Sequence, residues 1–214
     1  AGIMSGCYIP AGSKVGFGSI SPLTNGHGDS NMGGHLGPTL KFAGYDMVIF
    51  TGASPHPVYL LIDNGTVELC DASRYWGLKS LDCEKQLKAH LGEDFEIATI
   101  GPAGENGVLF SCITHDFGRQ AGRTGQGAVM GSKRLKAIAV RGSGSLHVHD
   151  LPSLRKHVTE IILRTKKHPN MEPWQKYGTA FFIQWSNANA VLPAYNFQTT
   201  YYEETDKIDG DQLV

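Results

Sequence analysis

No apolar run in this chain approaches the ~20 residues of a membrane-spanning helix. Net charge is nearly absent as well: 19 Lys and Arg stand against 20 Asp and Glu, a balance of −1. There is no global field to draw in nucleic acid or an anionic membrane, and any recognition of an anion must be local. Cysteine is sparse. Cys7, Cys70, Cys83 and Cys112 form no Cys-x-x-Cys pair, so the chain alone carries no signature of a zinc or iron–sulfur site. With 214 residues it can bury a core without a disulfide framework, and the cysteines read as small hydrophobes or free thiols. No secretory signal is visible at the start. The chain opens at Ala1-Gly2-Ile3 without an initiator Met and stops at Gln212-Leu213-Val214, so it reads as a piece of a longer protein.

Glycine is what the chain has in excess: 27 of 214 residues, about twice the usual share. The glycines are clustered rather than periodic, which excludes collagen and flexible-linker readings. Two clusters share a plan. The segments 31–52 and 118–142 each run from grouped glycines through Leu-Lys and Ala into an apolar, β-branched stretch that ends at Gly. The pattern predicts loop, short helix, strand and turn in each copy. Clustered glycines let a backbone approach a ligand and leave N–H groups free to face an anion. Two related cradles point to two related anionic groups about a pseudo-twofold axis. The plainer reading is a pair of tight turns with solvated Lys and Arg.

Elsewhere the pattern predicts a strand over Lys14–Ile20, a helix after Gly34 running through Phe42 with Pro38 in its first turn, and a buried strand at Met47–Thr51. Asp63-Asn64-Gly65 between two apolar runs predicts a hairpin of Val58–Ile62 with Thr66–Cys70. Ser80 or Asp82 caps a helix ended by Gly92, with Leu81, Leu87 and Leu91 as its apolar face. Strands are expected at Glu96–Ile100, Val108–Thr114 and Leu135–Val140, with a loop at Gly101–Gly107. The mixed order favours an α+β fold. The character changes near residue 148. A helix from Asp150 to about His168 and a second across Trp174–Val191 make residues 149–214 the beginning of an α-helical domain.

Gly125-Gln-Gly-Ala-Val-Met-Gly131 misses the dinucleotide fingerprint by one position, and Gly131-Ser-Lys lacks the upstream spacing of a P-loop. The nine histidines are scattered. His147 and His149 alternate at a strand end and form a weak metal pair. His27 and His35 are placed to donate to a phosphate, and His115 and Asp116 to position the arginines beyond them. Glu105 and Asn106 fit a turn better than a ligand contact. Arg119 and Arg123, four apart, would share a face if their segment were helical and could clamp a phosphate. Lys14, a long cation among small residues, again suits an anion.

Several blocks, in order, then resemble one family. Ser21-Pro-Leu-Thr24, Gly33-Gly34 with Leu40-Lys-Phe-Ala-Gly-Tyr-Asp46, Ile100-Gly-Pro-Ala-Gly-Glu-Asn106, Gly122-Arg123 with Gly127-Ala-Val-Met-Gly-Ser-Lys133, Lys176-Tyr-Gly-Thr179 and Asn196-Phe-Gln-Thr199 are similar to the N-terminal region of tungsten-containing aldehyde ferredoxin oxidoreductases. The resemblance implies an N-terminal platform over residues 1–148, built from two related β-sheet halves. It would carry tungsten, or molybdenum, on the dithiolenes of two pterins, with magnesium bridging their phosphates.

By matched position, Asn31, Gly33 and Gly34 would sit at one pterin phosphate and Arg119, Gln120, Gly122 and Arg123 at the other. Backbone groups of Asn31 and Gln120 would hold the magnesium. Lys14 stands where the family often has an Arg between pterin and iron–sulfur cluster, and keeps its charge without the planar fork. Gln120 stands where a small Ala is common. The 4Fe-4S cluster and the proton-handling residues would lie beyond Val214. The resemblance thus implies an enzyme oxidising aldehydes to carboxylic acids in the cytoplasm and passing electrons to ferredoxin or an iron–sulfur subunit, with a homodimer as one assembly open to it. The competing readings are a non-catalytic pterin-holding scaffold subunit and an ordinary nucleotide-binding enzyme.

Overall fold

A computed structural model describes residues 1–214 and divides them into two compact units, Ala1–Asp150 and Leu151–Val214. In the first unit, Asn64 at φ 52° and Gly65 close the tightest turn, where a left-handed backbone suits the twist of a hairpin. They join β3 (Val58–Asp63) to β4 (Thr66–Asp71). Strand β3 runs parallel to β8 (Leu135–Arg141), and β8 runs antiparallel to β5 (Glu96–Thr99). Beyond β5 lie β6 (Ile113–His115) and β7 (Arg119–Ala121), giving a six-stranded sheet in the order β4-β3-β8-β5-β6-β7.

Both faces of this sheet are covered, which is why β8 is a nearly unbroken buried run. Side chains alternate between the faces. Leu60, Ile62, Ala98, Ile138 and Val140 enter one core with Leu36, Leu40 and Met130. Tyr59, Ile97, Ala137 and Ala139 enter the other with Tyr75, Cys83 and Leu87. The first core is closed by helix α1 (Leu36–Phe42) and the second by α2 (Ser80–Leu91). In α2 the buried side chains are Cys83, Glu84 and Leu87, whereas Leu81 is exposed and no side chain caps the start. The expected apolar stripe is thus rotated, because Glu84 takes an interior position.

A second, two-stranded sheet pairs β1 (Val15–Ile20) with β2 (His27–Met32). Strand β2 is His-Gly-Asp-Ser-Asn-Met, without one β-branched residue, and propensity gives no hint of it. Its alternating burial of Gly28, Ser30 and Met32 comes from docking beside β7.

The two glycine-rich copies diverge after their helices. In the second, α4 (Gln126–Ser132) leads into β8 as expected. In the first, α1 leads to Met47–Phe50, which is not a strand. Val48 and Phe50 pack against the core, but Met47 and Ile49 are 69% and 72% exposed. A strand exists by pairing, and this segment has none; it borders a cavity of about 370 Å³ shared with β1, α1 and α4. Two smaller expectations also change. The loop 101–107 contains a helical turn, α3 (Pro102–Glu105), begun by Pro102. The strand expected at Val108–Thr114 shrinks to β6, because Val108 and Ser111 make turn bonds to Ala103 and Val108.

The second unit is helical, with α5 (Leu151–Lys166), α6 (Met171–Tyr177), α7 (Ile183–Ala188) and a short α8 (Gly210–Leu213). The single helix expected across Trp174–Val191 is broken at Gly178, which adopts φ +57° and starts a 3-10 segment through Phe182. Phe182 then meets Trp174 and Trp185 edge-on. No helix of the chain is long and apolar enough to cross a membrane.

Candidate functional site

The sequence offers many glycines, and the structure sorts them by what a side chain would meet. At Gly104 a Cβ would stand 2.8 Å from the Gly127 carbonyl oxygen, and at Gly127 2.5 Å from that of Cys112. At Gly131 it would collide with the Gly104 carbonyl. These glycines let α3 and α4 pack backbone to backbone; they do not cradle an anion. The second copy's glycine run is in this respect a packing device. Gly118 has open space around it, and at Gly122 a Cβ would meet only the Gln120 side chain, at 3.7 Å.

Gly33 is different. An atom built at its Cβ would lie 3.7 Å from Arg119 Nη1 and 3.8 Å from Lys14 Nζ, with Ser13 Oγ at 3.9 Å. Two cations from distant parts of the chain therefore converge over a bare backbone. Neither Lys14 nor the Arg123 guanidinium has a carboxylate partner, and Arg119 has one, Asp116, whose Oδ2 accepts from Nε at 3.3 Å. Asp116 also stands 3.6 Å from His35 Nδ1. Such a cluster, in a chain of net charge −1, is an electrostatic fit for a phosphate.

The remaining expected residues line the seam between the two sheets. Strand β2, carrying Asn31, lies against β7, carrying Arg119 and Gln120, yet the two belong to separate sheets. Each is an edge strand, and an edge presents backbone N–H and C=O groups with no ladder partner. The Arg123 amide donates to Ser30 Oγ at 3.3 Å across this seam. Asn31 Nδ2 donates to Asp29 at 2.9 Å. The Gln120 side chain turns back into the sheet, accepting from Cys112 Sγ at 2.7 Å and Thr114 Oγ1 at 3.1 Å. Lys14, Gly33, Gly34 and Arg119 are thus gathered at one point, and Asn31, Gln120, Gly122 and Arg123 along the adjoining edges. Arg119 and Arg123 do not share a helical face, because Arg119–Ala121 is extended.

Of three residues that hold this arrangement, Gln126 and Glu84 were not singled out by the sequence, whereas His115 was expected to position the arginines. Gln126 is 3% exposed; it accepts from Ser19 Oγ at 2.9 Å and donates to the Gly28 carbonyl at 3.0 Å, clamping the small sheet to α4. Glu84 reaches from α2 to accept the Phe117 amide at 3.1 Å. It thereby holds the turn between β6 and β7, where Asp116 and Phe117 adopt φ 50° and 51°. Its other oxygen has no partner, and burial pushes its carboxyl above the usual range. His115, fully buried, accepts the amides of both His35 and Leu36 on Nε2 at 3.1 Å. These are two of the unpaired donors at the start of α1, so they are spent on His115 and do not face an anion. None of the three contacts has a sequence-local signature, since each joins residues 33 or more positions apart.

Glu105 has a structural role. It forms an ion pair with Lys136, and both are almost fully buried. No group of three or more His, Cys, Asp or Glu side chains is placed to hold a metal ion, His147 and His149 included.

The first unit is thus an α+β platform whose two sheets meet at a seam lined by Lys14, Arg119 and Arg123. Residues 1–142 match the N-terminal domain of aldehyde ferredoxin oxidoreductase, and residues 156–214 match domains 2 and 3 of the same enzyme. The chain belongs to the aldehyde ferredoxin oxidoreductase family. It is 41% identical over 99% of its length to a tungsten-containing aldehyde ferredoxin oxidoreductase of Pyrococcus abyssi. It is also 40% identical to the protein of that name from Pyrococcus furiosus. It spans about a third of their lengths, 35% and 36%. An aliphatic sulfonate oxidoreductase WOR-like subunit of Pyrococcus furiosus is 35% identical over 93% of the chain and 34% of its own length. Among solved structures, the active site complex BamBC of benzoyl coenzyme A reductase, in complex with 1,5 dienoyl-CoA, matches 92% of the chain and 27% of its own. Its TM-score is 0.74 at 32% identity. The family is one of oxidoreductases, and membership implies a metal–pterin cofactor.

Proposed function

We propose that this chain is the cofactor-holding part of an enzyme that oxidises aldehydes to carboxylic acids at a tungsten or molybdenum bis-pterin centre. Aldehyde and water yield a carboxylic acid, two protons and two electrons. A 4Fe-4S cluster held outside residues 1–214 would supply the path for these electrons, with ferredoxin or an iron–sulfur subunit as their acceptor. The observation that carries this reading is the convergence of Lys14 and Arg119 over Gly33, beside the paired edges of β2 and β7. Asn31, Gly33 and Gly34 would hold one pterin phosphate, and Arg119, Gln120, Gly122 and Arg123 the other. Backbone groups of Asn31 and Gln120 on those edges would hold a magnesium ion between them. The bound group supplies two-electron redox chemistry, while this chain's residues neutralise its phosphates and fix its orientation. Lys14, a point charge rather than a planar fork, would serve one phosphate or sulfur contact at a time. A cytoplasmic location and a homodimer complete the proposal.

The test is elemental analysis of the full-length protein purified without oxygen. About one tungsten or molybdenum and about four irons per protein chain support the reading. Arg123→Glu should abolish pterin and metal content while leaving the circular dichroism spectrum unchanged. Normal metal content in that variant refutes the assignment of Arg123. Absence of all three metals from the wild-type protein leaves the scaffold reading in its place.

A further inference from the structure

We propose that His115 is a positioning residue, a proton-sensitive pin that fastens the loop 33–36 to the β6–β7 hairpin and so keeps Gly33 and Arg119 in register around their anion. The anion is the one in the proposed function, but the geometry of the pin stands independently of it. The Ile97 carbonyl, 2.9 Å from Nδ1, can only accept, so Nδ1 carries the proton. The amides of His35 and Leu36, each 3.1 Å from Nε2, can only donate, so Nε2 is bare. These partners select one neutral tautomer. The imidazole is also in van der Waals contact with the loop. At Gly34, where φ is +99°, a Cβ would stand 2.7 Å from His115 Cδ2, 2.8 Å from Nε2 and 3.0 Å from Arg119 Cδ. Imidazole and arginine stem thus both crowd the side of Gly34 where a side chain would stand, which couples the loop to Arg119.

Protonation removes the acceptor. A second N–H on the ring would face two amide donors, and both bonds to the loop would be lost. The charged groups around the ring are Glu96 on β5, 3.6 Å from Nε2, Asp116 in the turn, His35 in the loop and Arg119 on β7. Burial holds His115 below the ordinary histidine range, and Glu96 and Asp116 offset this only in part. With the folded-state value depressed, the pin is closed at neutral pH and loosens as pH falls from 6.5 through that lower value.

The test uses hydrogen exchange with mass spectrometry on the full-length protein, following the peptide that spans Gly33–Leu40, together with metal and pterin content. In the wild type, protection of this peptide, corrected for intrinsic exchange, should fall by up to about tenfold per pH unit as pH drops from 6.5 toward the depressed closed-state value. His115→Gln, whose amide can accept and donate but not titrate, should keep protection and cofactor at neutral pH and lose the extra pH dependence. His115→Leu should lose both protection and cofactor. An unchanged pH dependence in H115Q, or wild-type protection in a folded H115L, overturns the proposal. If H115L does not fold, the H115Q comparison decides alone. A wild-type protein without pterin or metal would sink the proposed function, while the exchange data would still judge the pin.

Discussion

Lys136 and Glu105 form the most exacting electrostatic contact in the platform. Lys136 is 0% exposed and the Glu105 side chain 4%. Besides the ion pair, Nζ donates to the Leu78 carbonyl at 2.9 Å and the Ile100 carbonyl at 2.7 Å. The Glu105 oxygens accept from the Gly77 amide at 3.0 and 2.8 Å. Lys136→Met conserves the stem but leaves a buried carboxylate with one amide donor and removes a donor from two carbonyls. Breaking such a pair costs about 3–5 kcal/mol. For a unit of this size each kcal/mol lowers the melting temperature by about 2–4 °C, so the midpoint should fall by roughly 10 °C. Thermal unfolding followed by circular dichroism reads this directly. The double variant K136M/E105L removes both charges and should recover at least half of the loss, because an apolar replacement of a buried pair is often neutral. A loss below about 1 kcal/mol in K136M, or strictly additive losses in the double variant, would refute the argument. The same experiment separates structure from ligand contact at Glu105. A structural Glu105 predicts that E105Q lowers stability while cofactor content per folded protein is unchanged.

Gly131→Ala should destabilise by about 3 kcal/mol, the upper end of overpacking, because the new methyl meets the Gly104 carbonyl. Gly118→Ala, in open space, should shift the urea midpoint by far less; equal effects would refute the division between packing and open glycines. Glu84→Gln tests the support of the β6–β7 turn. Burial raises the Glu84 carboxyl above 4.5, so the wild type loses stability as pH rises from that value through the raised one. In urea titrations at a series of pH values, E84Q should lack this segment of the profile. A superimposable profile would show that Glu84 contributes nothing to it.

Local chemistry made much of this protein readable. Asn64-Gly65 dictates the β3–β4 hairpin, Gly92 ends α2, and Leu135–Val140 is a strand wherever it is placed, because turn geometry and β-branched runs act over a few residues. The repeated glycine plan and the cations Lys14, Arg119 and Arg123 were legible for the same reason. Strand β2 was not, since its polar residues become a strand only through β1 and the neighbouring β7. Met47–Phe50 failed in the opposite sense: it has the composition of a strand and no strand beside it. Gly127 and Gly131 belong to a run read as an anion cradle and make packing contacts instead, a distinction that depends on which backbone stands opposite.

Local sequence thus sets the short-range elements and the inventory of charges available for an anion. Which of those charges meet is set by long-range packing. Lys14 converges with Arg119 over Gly33, Ser30 reaches Arg123 and His35 reaches His115, each at a sequence separation of 80 or more. Hydrogen bonds over such separations leave no periodicity in the chain that makes them.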